Sequence, residues 1–289
     1  MNYSFKAVDY EGLSPIVHAI GDVPFAFCDF TPYVIFTWQK YYDTHFSVID
    51  SSLVLRYVIN GEYCYAPLTN DIVSVAEKLI EAEDFVSLSP IYEEDLKKLS
   101  ESYEILKVEC DDAWSDYIYL HSDIAELSGK RYSGQRNHIN KFVSMNPHWQ
   151  YETVDESNIR EVLSFYEELT SNIEGLDETA LYERERLLEY FDHGFSRLPL
   201  SGGLIRTEGR IVSVAFGEII GETLYVHIEK ARRDVQGAYQ MIVREFARHN
   251  SACLINREED MGIEGLRRSK MSYHPLRLEK KYKVRVKRK

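Results

Sequence analysis

The sequence predicts an α+β protein of two domains, each a mixed, mainly antiparallel sheet flanked by helices. Three observations predict this. The chain has 289 residues, and at roughly 100–200 residues per domain that length suits two domains. Strand-forming runs joined by turn signals alternate with stretches of helical period along the chain. In the second part the order reads strand, two helices, three strands, helix, strand, helix, strand, which is a meander covered by helices.

The elements follow in order. After a loop-rich start come three apolar, β-branched runs, FAFCDFTPYVIFTW (25–38), HFSVID (45–50) and LVLRYVI (53–59). Asn60-Gly61 tolerates the positive φ of a type I′ turn, with YCYAPL (63–68) as the return strand. Residues 71–83 place Ile72, Val75, Ala76 and Leu79 at helical spacing behind a cap at Asn70 or Asp71. A second helix is expected near 92–102, with strands near 103–109 and 116–120. ELSGKRYSGQRNHINKF (126–142) starts as a loop and ends as a helix packed through Ile139 and Phe142. Pro147 and Trp149 break the chain, which sets the expected domains at 1–145 and 146–289.

The second part reads as strand 149–154, helix 158–172 with Ile159, Val162, Leu163 and Tyr166 on one face, and helix 180–195. Three antiparallel strands span 200–231, turning at Glu208-Gly209 and Gly221-Glu222. Helix 238–250 follows Gly237. Strand 252–258, helix 262–270 and one alternating strand, 276–286, close the chain. This order looks like the GNAT acyltransferase fold, and the N-terminal part fits a second, less regular copy. No internal repeat is visible in the residues themselves.

Composition narrows the class. The chain is 44% hydrophobic and 28% charged, ordinary for a globular protein. Its apolar runs are strand-sized, far short of the roughly 18 residues of a spanning helix. The start, MNYSFKAVDYEG, lacks a basic segment followed by an apolar core, so no secretory signal is expected. The four Cys are widely spaced without a CxxC. Reduced thiols in the cytoplasm are therefore expected, with no metal site. Residues 1–129 hold 7 Lys/Arg against 23 Asp/Glu, and residues 130–289 hold 27 against 24. The basic tail RLEKKYKVRVKRK suits a solvated edge strand, or a peripheral contact with a polyanion or membrane surface.

Three segments carry a family resemblance. GLRRSKMSYHP with the following KKY (265–282) is similar to the closing signature of the phosphatidylglycerol lysyltransferase C-terminal domain. GKRYSGQRNHINKF (129–142) and VHIEKARRDVQGAYQMIVREFA (226–247) resemble the branch of that family without a membrane-embedded region. The resemblance implies tandem GNAT-like domains, as in the Fem-type aminoacyl ligases. It also implies transfer of an aminoacyl group from aminoacyl-tRNA to a lipid hydroxyl or an amine. The pyrophosphate signature of CoA-dependent GNAT enzymes is only half present, as Gln236-Gly237-Ala238. A helix N-terminus at Gly237 still offers N–H groups to an anion.

Acyl transfer needs a base for the nucleophile, donors for the developing oxyanion and a hold on the donor. Helical spacing puts Ile263, Leu266 and Lys270 on one inward stripe, so Lys270 is a candidate to hold an anionic group, and the resemblance points to the same residue. Glu258 and Asp260, in the acidic run before that helix, are candidate bases, although acids at a helix start also answer the helix dipole. Arg257 is a candidate anion clamp. His227 and Glu229 alternate on one strand, which places both on one face as further catalytic candidates. Lys130, Arg131, Arg136 and Asn137 are candidates for holding a tRNA or lipid phosphate. Tyr273 joins the binding set through the closing signature. The expected activity is an aminoacyl- or acyltransferase with no tightly bound cofactor and aminoacyl-tRNA or acyl-CoA as co-substrate. The alternatives are a non-catalytic ligand-sensing module and a CoA-dependent N-acetyltransferase.

Overall fold

A computed structural model of the chain describes residues 3–9, 13–21, 25–171, 178–192 and 200–289. It contains two compact units. The first comprises Met1–Asp116, Glu259–Glu264 and Leu278–Lys289, and the second Tyr117–Glu258 and Gly265–Arg277. The division differs from the expected 1–145 and 146–289 because the chain changes unit four times.

The N-terminal segment runs β1 (Lys6–Ala7), α1 (Leu13–Gly21), α2 (Pro32–Trp38), β2 (His45–Ile49), β3 (Ser52–Ile59), β4 (Glu62–Leu68), α3 (Ile72–Ile80), β5 (Val86–Ile91), α4 (Glu93–Ser102) and β6 (Glu104–Cys110). Asn60 and Gly61 both take positive φ, 53° and 79°, and turn β3 into β4. Asp71 caps α3, its Oδ1 accepting from the Ser74 N–H at 3.1 Å. The run 25–38 is not a strand. Thr31 accepts from the Val34 N–H at 3.3 Å, and Pro32, whose fixed φ suits a first helical turn, opens α2. Local capping here outweighs β propensity. Residues 86–91, for which the sequence pattern offers no element, form β5.

The chain continues through β7 (Asp116–Leu120), α5 (His121–Glu126), α6 (Ser133–Met145), β8 (Gln150–Thr153), α7 (Ile159–Ser171), α8 (Glu178–Asp192), β9 (Ser201–Thr207), β10 (Arg210–Ile220), β11 (Thr223–Ala231), α9 (Ala238–His249), β12 (Leu254–Asn256), α10 (Glu264–Met271), β13 (Arg277–Glu279) and β14 (Tyr282–Lys287). The single closing strand expected at 276–286 is two strands, and they belong to different sheets.

One sheet has the order β1-β2-β3-β4-β5-β14-β6 and the other β13-β7-β12-β11-β10-β9-β8. The two share a plan. The hairpins β3–β4 and β10–β11 are each followed by a helix and then by a strand parallel to the second hairpin strand, β5 and β12 respectively. An antiparallel strand follows in each sheet: β14 beside β5 and β7 beside β12. The consecutive strands β6 and β7 are split between the sheets, and so are β13 and β14. The repeat that the residues hide is thus explicit in the topology.

In the first unit α3, through Ile72, Val75, Ala76 and Leu79, and Leu99 of α4 share a core with Val54, Leu88, Val284 and Val286. In the second, Ile139 and Phe142 of α6, Met241, Ile242 and Phe246 of α9, and Val214 and Phe216 of β10 are buried. Among the described residues no helix is long and apolar enough to cross a membrane.

Gly237 lies where α6 meets the start of α9. Its φ is 84°, and a Cβ there would stand 2.3 Å from the His138 carbonyl oxygen and 2.9 Å from Phe142 Cβ. Both the conformation and the close approach require glycine. Gly237→Ala is expected to destabilise the protein by about 2–4 kcal/mol, from left-handed strain plus overpacking. Urea unfolding measures this, and a loss below about 0.5 kcal/mol, the range of ordinary surface changes, would contradict the packing account.

Candidate active site

The site is built where two strands part. β11 and β12 pair in parallel at Thr223–Leu254, Leu224–Ile255 and Tyr225–Asn256, and the ladder ends there. Beyond Asn256 the chain stays with β7: the Arg257 N–H donates to the Tyr117 carbonyl at 3.1 Å, and the Tyr117 N–H to the Glu258 carbonyl at 3.2 Å. On the β11 side, His227 is a bulge, since Phe216 faces Ile228 and Gly217 faces Val226. Gly217 is required at this bulge, because a Cβ would lie 2.2 Å from the Tyr225 carbonyl oxygen.

Two ion pairs bridge the parting. His227 Nδ1 bonds Glu258 Oε1 at 2.7 Å, and Arg257 Nη2 bonds Glu229 Oε2 at 2.6 Å. They lie on opposite faces of the sheet. Glu229 stands opposite Ala215, and Glu218, the other partner of His227, stands opposite Tyr225. Residues 215 and 218 are an odd number of steps apart on one strand, so their side chains face opposite ways. The expectation that His227 and Glu229 share a face therefore fails, because the bulge interrupts the alternation that the sequence pattern assumes.

On one face, Arg257 is 3% exposed. Its Nη2 also donates to the Tyr239 hydroxyl at 2.7 Å, and that hydroxyl donates to Glu229 Oε2 at 2.9 Å. The guanidinium carbon lies 4.8 Å from the Tyr273 ring centroid and 5.6 Å from that of Tyr119. Its Nε and Nη1 and the Tyr273 hydroxyl are buried without a hydrogen-bond partner. A buried donor left unmatched costs about 1–3 kcal/mol, so three beside one another mark a place built to receive acceptor atoms. Burial pushes the Tyr239 and Tyr273 phenols up, so both remain neutral donors. Lys270 Nζ donates to the Arg257 carbonyl at 2.6 Å and lies 5.6 Å from the Tyr117 ring centroid.

Lys270 thus reaches this cluster, but not along an apolar stripe. Ile263 precedes α10 and is exposed, Leu266 is exposed, and no residue of α10 is buried. Tyr119 instead holds the helix end, its hydroxyl donating to the Lys270 carbonyl at 2.9 Å.

On the other face, His227 Nε2 meets Glu218 Oε1 at 3.0 Å. Both of these side chains are fully buried, while that of Glu258 is 21% exposed. Burial alone would lower the imidazole pKa, but the hydrogen bonds to Glu218 and Glu258 overcome it and raise it to about 9. His227 is therefore an imidazolium at neutral pH and cannot serve as a base. Glu183 of α8, which sequence reasoning does not select, belongs to the same electrostatic environment. Its carboxyl is pushed up by burial, with Glu258 adding and Lys230 and His227 opposing.

The remaining candidates lie elsewhere. Asp260 belongs to the first unit, where its Oδ1 accepts from the Gly262 N–H at 2.8 Å and its carbonyl from the Ile263 N–H at 2.9 Å. It shapes the turn into α10. Arg136 donates to the Leu127 carbonyl, and to that of Gly129 at 2.6 Å, holding the end of α5. Arg131 pairs with Asp123 at 2.7 Å. Lys130 and Asn137 are exposed. At Gly237 the His138 carbonyl oxygen crowds the helix start.

The first unit has its own charged cluster, which sequence reasoning misses. Lys281 Nζ lies 2.5 Å from Asp29 Oδ2 and 2.7 Å from Asp116 Oδ1, and bonds Glu259. Cys28 Sγ is 3.5 Å from the same nitrogen. Burial raises the Asp116 carboxyl to about 7, Lys281 opposing while Glu259 and Asp29 add. Cys28, Asp29, Asp116 and Glu259 bring ligand atoms within 4.8 Å of one another, but the Lys281 ammonium sits among them, so the group reads as a buried cation held by acids. The alternation of the last strand misleads here. With Val284 and Val286 inward, Lys281 counts as outward, yet the ladder shifts register between Tyr282 and Val284.

The phosphatidylglycerol lysyltransferase C-terminal family model matches residues 33–285. The chain belongs to this family. Within its fold, a conserved protein of unknown function from Bacteroides thetaiotaomicron is 34% identical, covering 99% of this chain and 100% of that one with a TM-score of 0.90. L-PGS from Bacillus licheniformis is 14% identical, covering 98% and 93%, with a TM-score of 0.64. FemX is 10% identical, covering 96% or more of each chain, with a TM-score of 0.61. This family member has the two mixed, mainly antiparallel sheets flanked by helices expected from its element order.

The His227 imidazolium links stability to pH. Its folded pKa of about 9 exceeds the ordinary 6.5. The stabilisation is thus complete below about pH 6.5 and lost as pH rises through about 9, an upper bound of roughly 3 kcal/mol. Urea titrations of wild type and His227→Gln between pH 6 and 10 should show the wild-type advantage shrinking with pH. Parallel profiles would contradict a charged His227.

Proposed function

We propose that the protein is an acyltransferase that moves an aminoacyl group from an activated donor, aminoacyl-tRNA foremost, to a lipid hydroxyl or an amine. The observation that carries this reading is the buried Arg257 guanidinium, whose Nε and Nη1 have no hydrogen-bond partner and lie at the parting of β11 and β12. Each is a charge-assisted donor suited to a single anionic oxygen, and the Tyr273 hydroxyl and Lys270 ammonium add a further donor and a charge. A donor lying in the parting would meet Arg257 from one face and Glu258 from the other.

In this scheme the acceptor oxygen or nitrogen attacks the donor carbonyl. Glu258, the accessible carboxylate of its group, takes the acceptor proton. The leaving oxygen departs with its negative charge held by the Arg257 donors, which are already oriented and so need no rearrangement as charge develops. The His227 imidazolium and Glu218 fix the Glu258 carboxylate in place. Family membership and the likeness to L-PGS and FemX support a transferase. The His138 carbonyl oxygen at the start of α9 is an anion-repelling neighbour, which favours a donor other than CoA.

Turnover measured across aminoacyl-tRNA and acyl-thioester donors tests the proposal. Arg257→Lys keeps the charge and removes the Nε and Nη1 donors, so kcat/KM should fall about 100-fold, the range seen when an oxyanion donor is removed. Lys270→Ala should lower turnover with little change in melting temperature. Donor binding without turnover for any donor would instead favour a ligand-sensing module.

A further inference from the structure

Each sheet ends in two edge strands, and three of these four are short. β1 has 2 residues, β13 has 3 and β8 has 4. β6 has 7, and all of them but Ile105 are exposed. A long open edge turns a row of backbone N–H and C=O groups outward, which sheets ordinarily avoid with short or charged edge strands. Among the described residues no strand pairs with the outer side of β6.

The two faces of β6 differ. Val108 stands opposite Val284 and Ile105 opposite Val286, with a register shift between Arg285 and Val286. Val284 and Val286 are fully buried, so Val108 continues the core face of the sheet, yet it is 45% exposed. Lys107 and Glu109 stand opposite Arg285 and Lys283, on the other face. An edge lysine deters a partner strand, but Glu109 answers Lys107 at 2.9 Å.

The strand is complementary to itself in one register. Antiparallel pairing of two copies about Lys107 or about Glu109 would set that charge against its own copy, which destabilises. Pairing about Leu106 would leave Glu109 and Cys110 outside the ladder. Pairing about Val108 sets Lys107 against the partner's Glu109, Leu106 against the partner's Cys110, and Val108 against the partner's Val108.

We infer that β6 is the two-fold interface of a homodimer, in which two copies of the chain join their first sheets edge to edge. The outward backbone groups of each edge bond to the other. Two Lys–Glu pairs close one face, and on the other the two Val108 side chains complete an apolar layer that ends uncovered in a single copy. The patch is isologous, as a closed dimer requires. One strand pair is smaller than a standard interface, so association in roughly the micromolar range is expected. The inference is independent of acyl transfer.

Sedimentation velocity of the full chain between about 1 and 200 µM tests it. Wild type should pass from monomer to dimer across that range. Lys107→Glu and Glu109→Lys should each weaken association roughly tenfold or more, because each sets like charges opposite one another. Mixed in equal amounts, the two variants should associate as wild type does, since each supplies the charge the other lacks. Disulfide trapping reads the register, in a background without the exposed thiols, Cys110→Ser with Cys253→Ser. Val108→Cys should give a covalent dimer on mild oxidation, because directly opposite residues lie within disulfide reach. Lys107→Cys should not, its two copies being diagonal neighbours about 8 Å apart. All the substituted positions are exposed, so melting temperatures should match wild type. Wild type that stays monomeric throughout, or a mixture no tighter than its separate variants, would overturn the inference. So would trapping through Lys107→Cys in place of Val108→Cys.

Discussion

The pairing of β12 with β7 is the constraint on which the candidate site depends. β7 follows β6 in sequence yet belongs to the other sheet, and it draws β12 along its own edge beyond Asn256. β11 does not follow, because its bulge at His227 breaks the register with β10 and bends the strand. Between the diverging strands the polar side chains Glu229, Arg257, His227 and Glu258 bridge what backbone hydrogen bonds no longer join. A gap of this kind would be costly in a core without such groups, so the local failure of the ladder and the presence of buried charge explain one another.

The two faces of the parting carry opposite chemistry. One is cationic and aromatic, with Arg257 and Lys270 among Tyr117, Tyr119, Tyr239 and Tyr273. The other is acidic, with Glu218 and Glu258 around a single imidazolium. Burial strengthens both, because a low dielectric magnifies each charge and raises the cost of leaving one unmatched. The unmatched donors of Arg257 are thus the feature that structural stability alone does not explain.

Much of the fold was legible in the sequence. The Asn60-Gly61 turn, the Asp71 cap and the 3.6-residue periods of α3, α7 and α9 are local signals, and local signals survive in any context. The run 25–38 was misread because the Thr31-Pro32 start outweighs its β-branched content. The domain division was not legible, since which sheet receives β7 or β14 is decided by long-range pairing. In the site, Arg257, Glu258 and Lys270 were recoverable from residue type and from the family signature. The placement of His227 was not, because a bulge shifts the face without changing composition. Lys281 was hidden by a register shift in the strand that carries it, and its partners Cys28, Asp29 and Asp116 are far from it in sequence.

The central claim is that the unmatched N–H groups of Arg257 face the reacting end of an acyl donor and hold its leaving oxygen. Nitrogen-15 NMR of arginine-labelled protein observes those groups directly. Titration with a 3′-aminoacylated acceptor-stem RNA should shift the Arg257 Nε–H resonance saturably, and that resonance should be missing from the spectrum of Arg257→Lys. Saturable donor binding that leaves the Arg257 resonance unmoved would contradict the account.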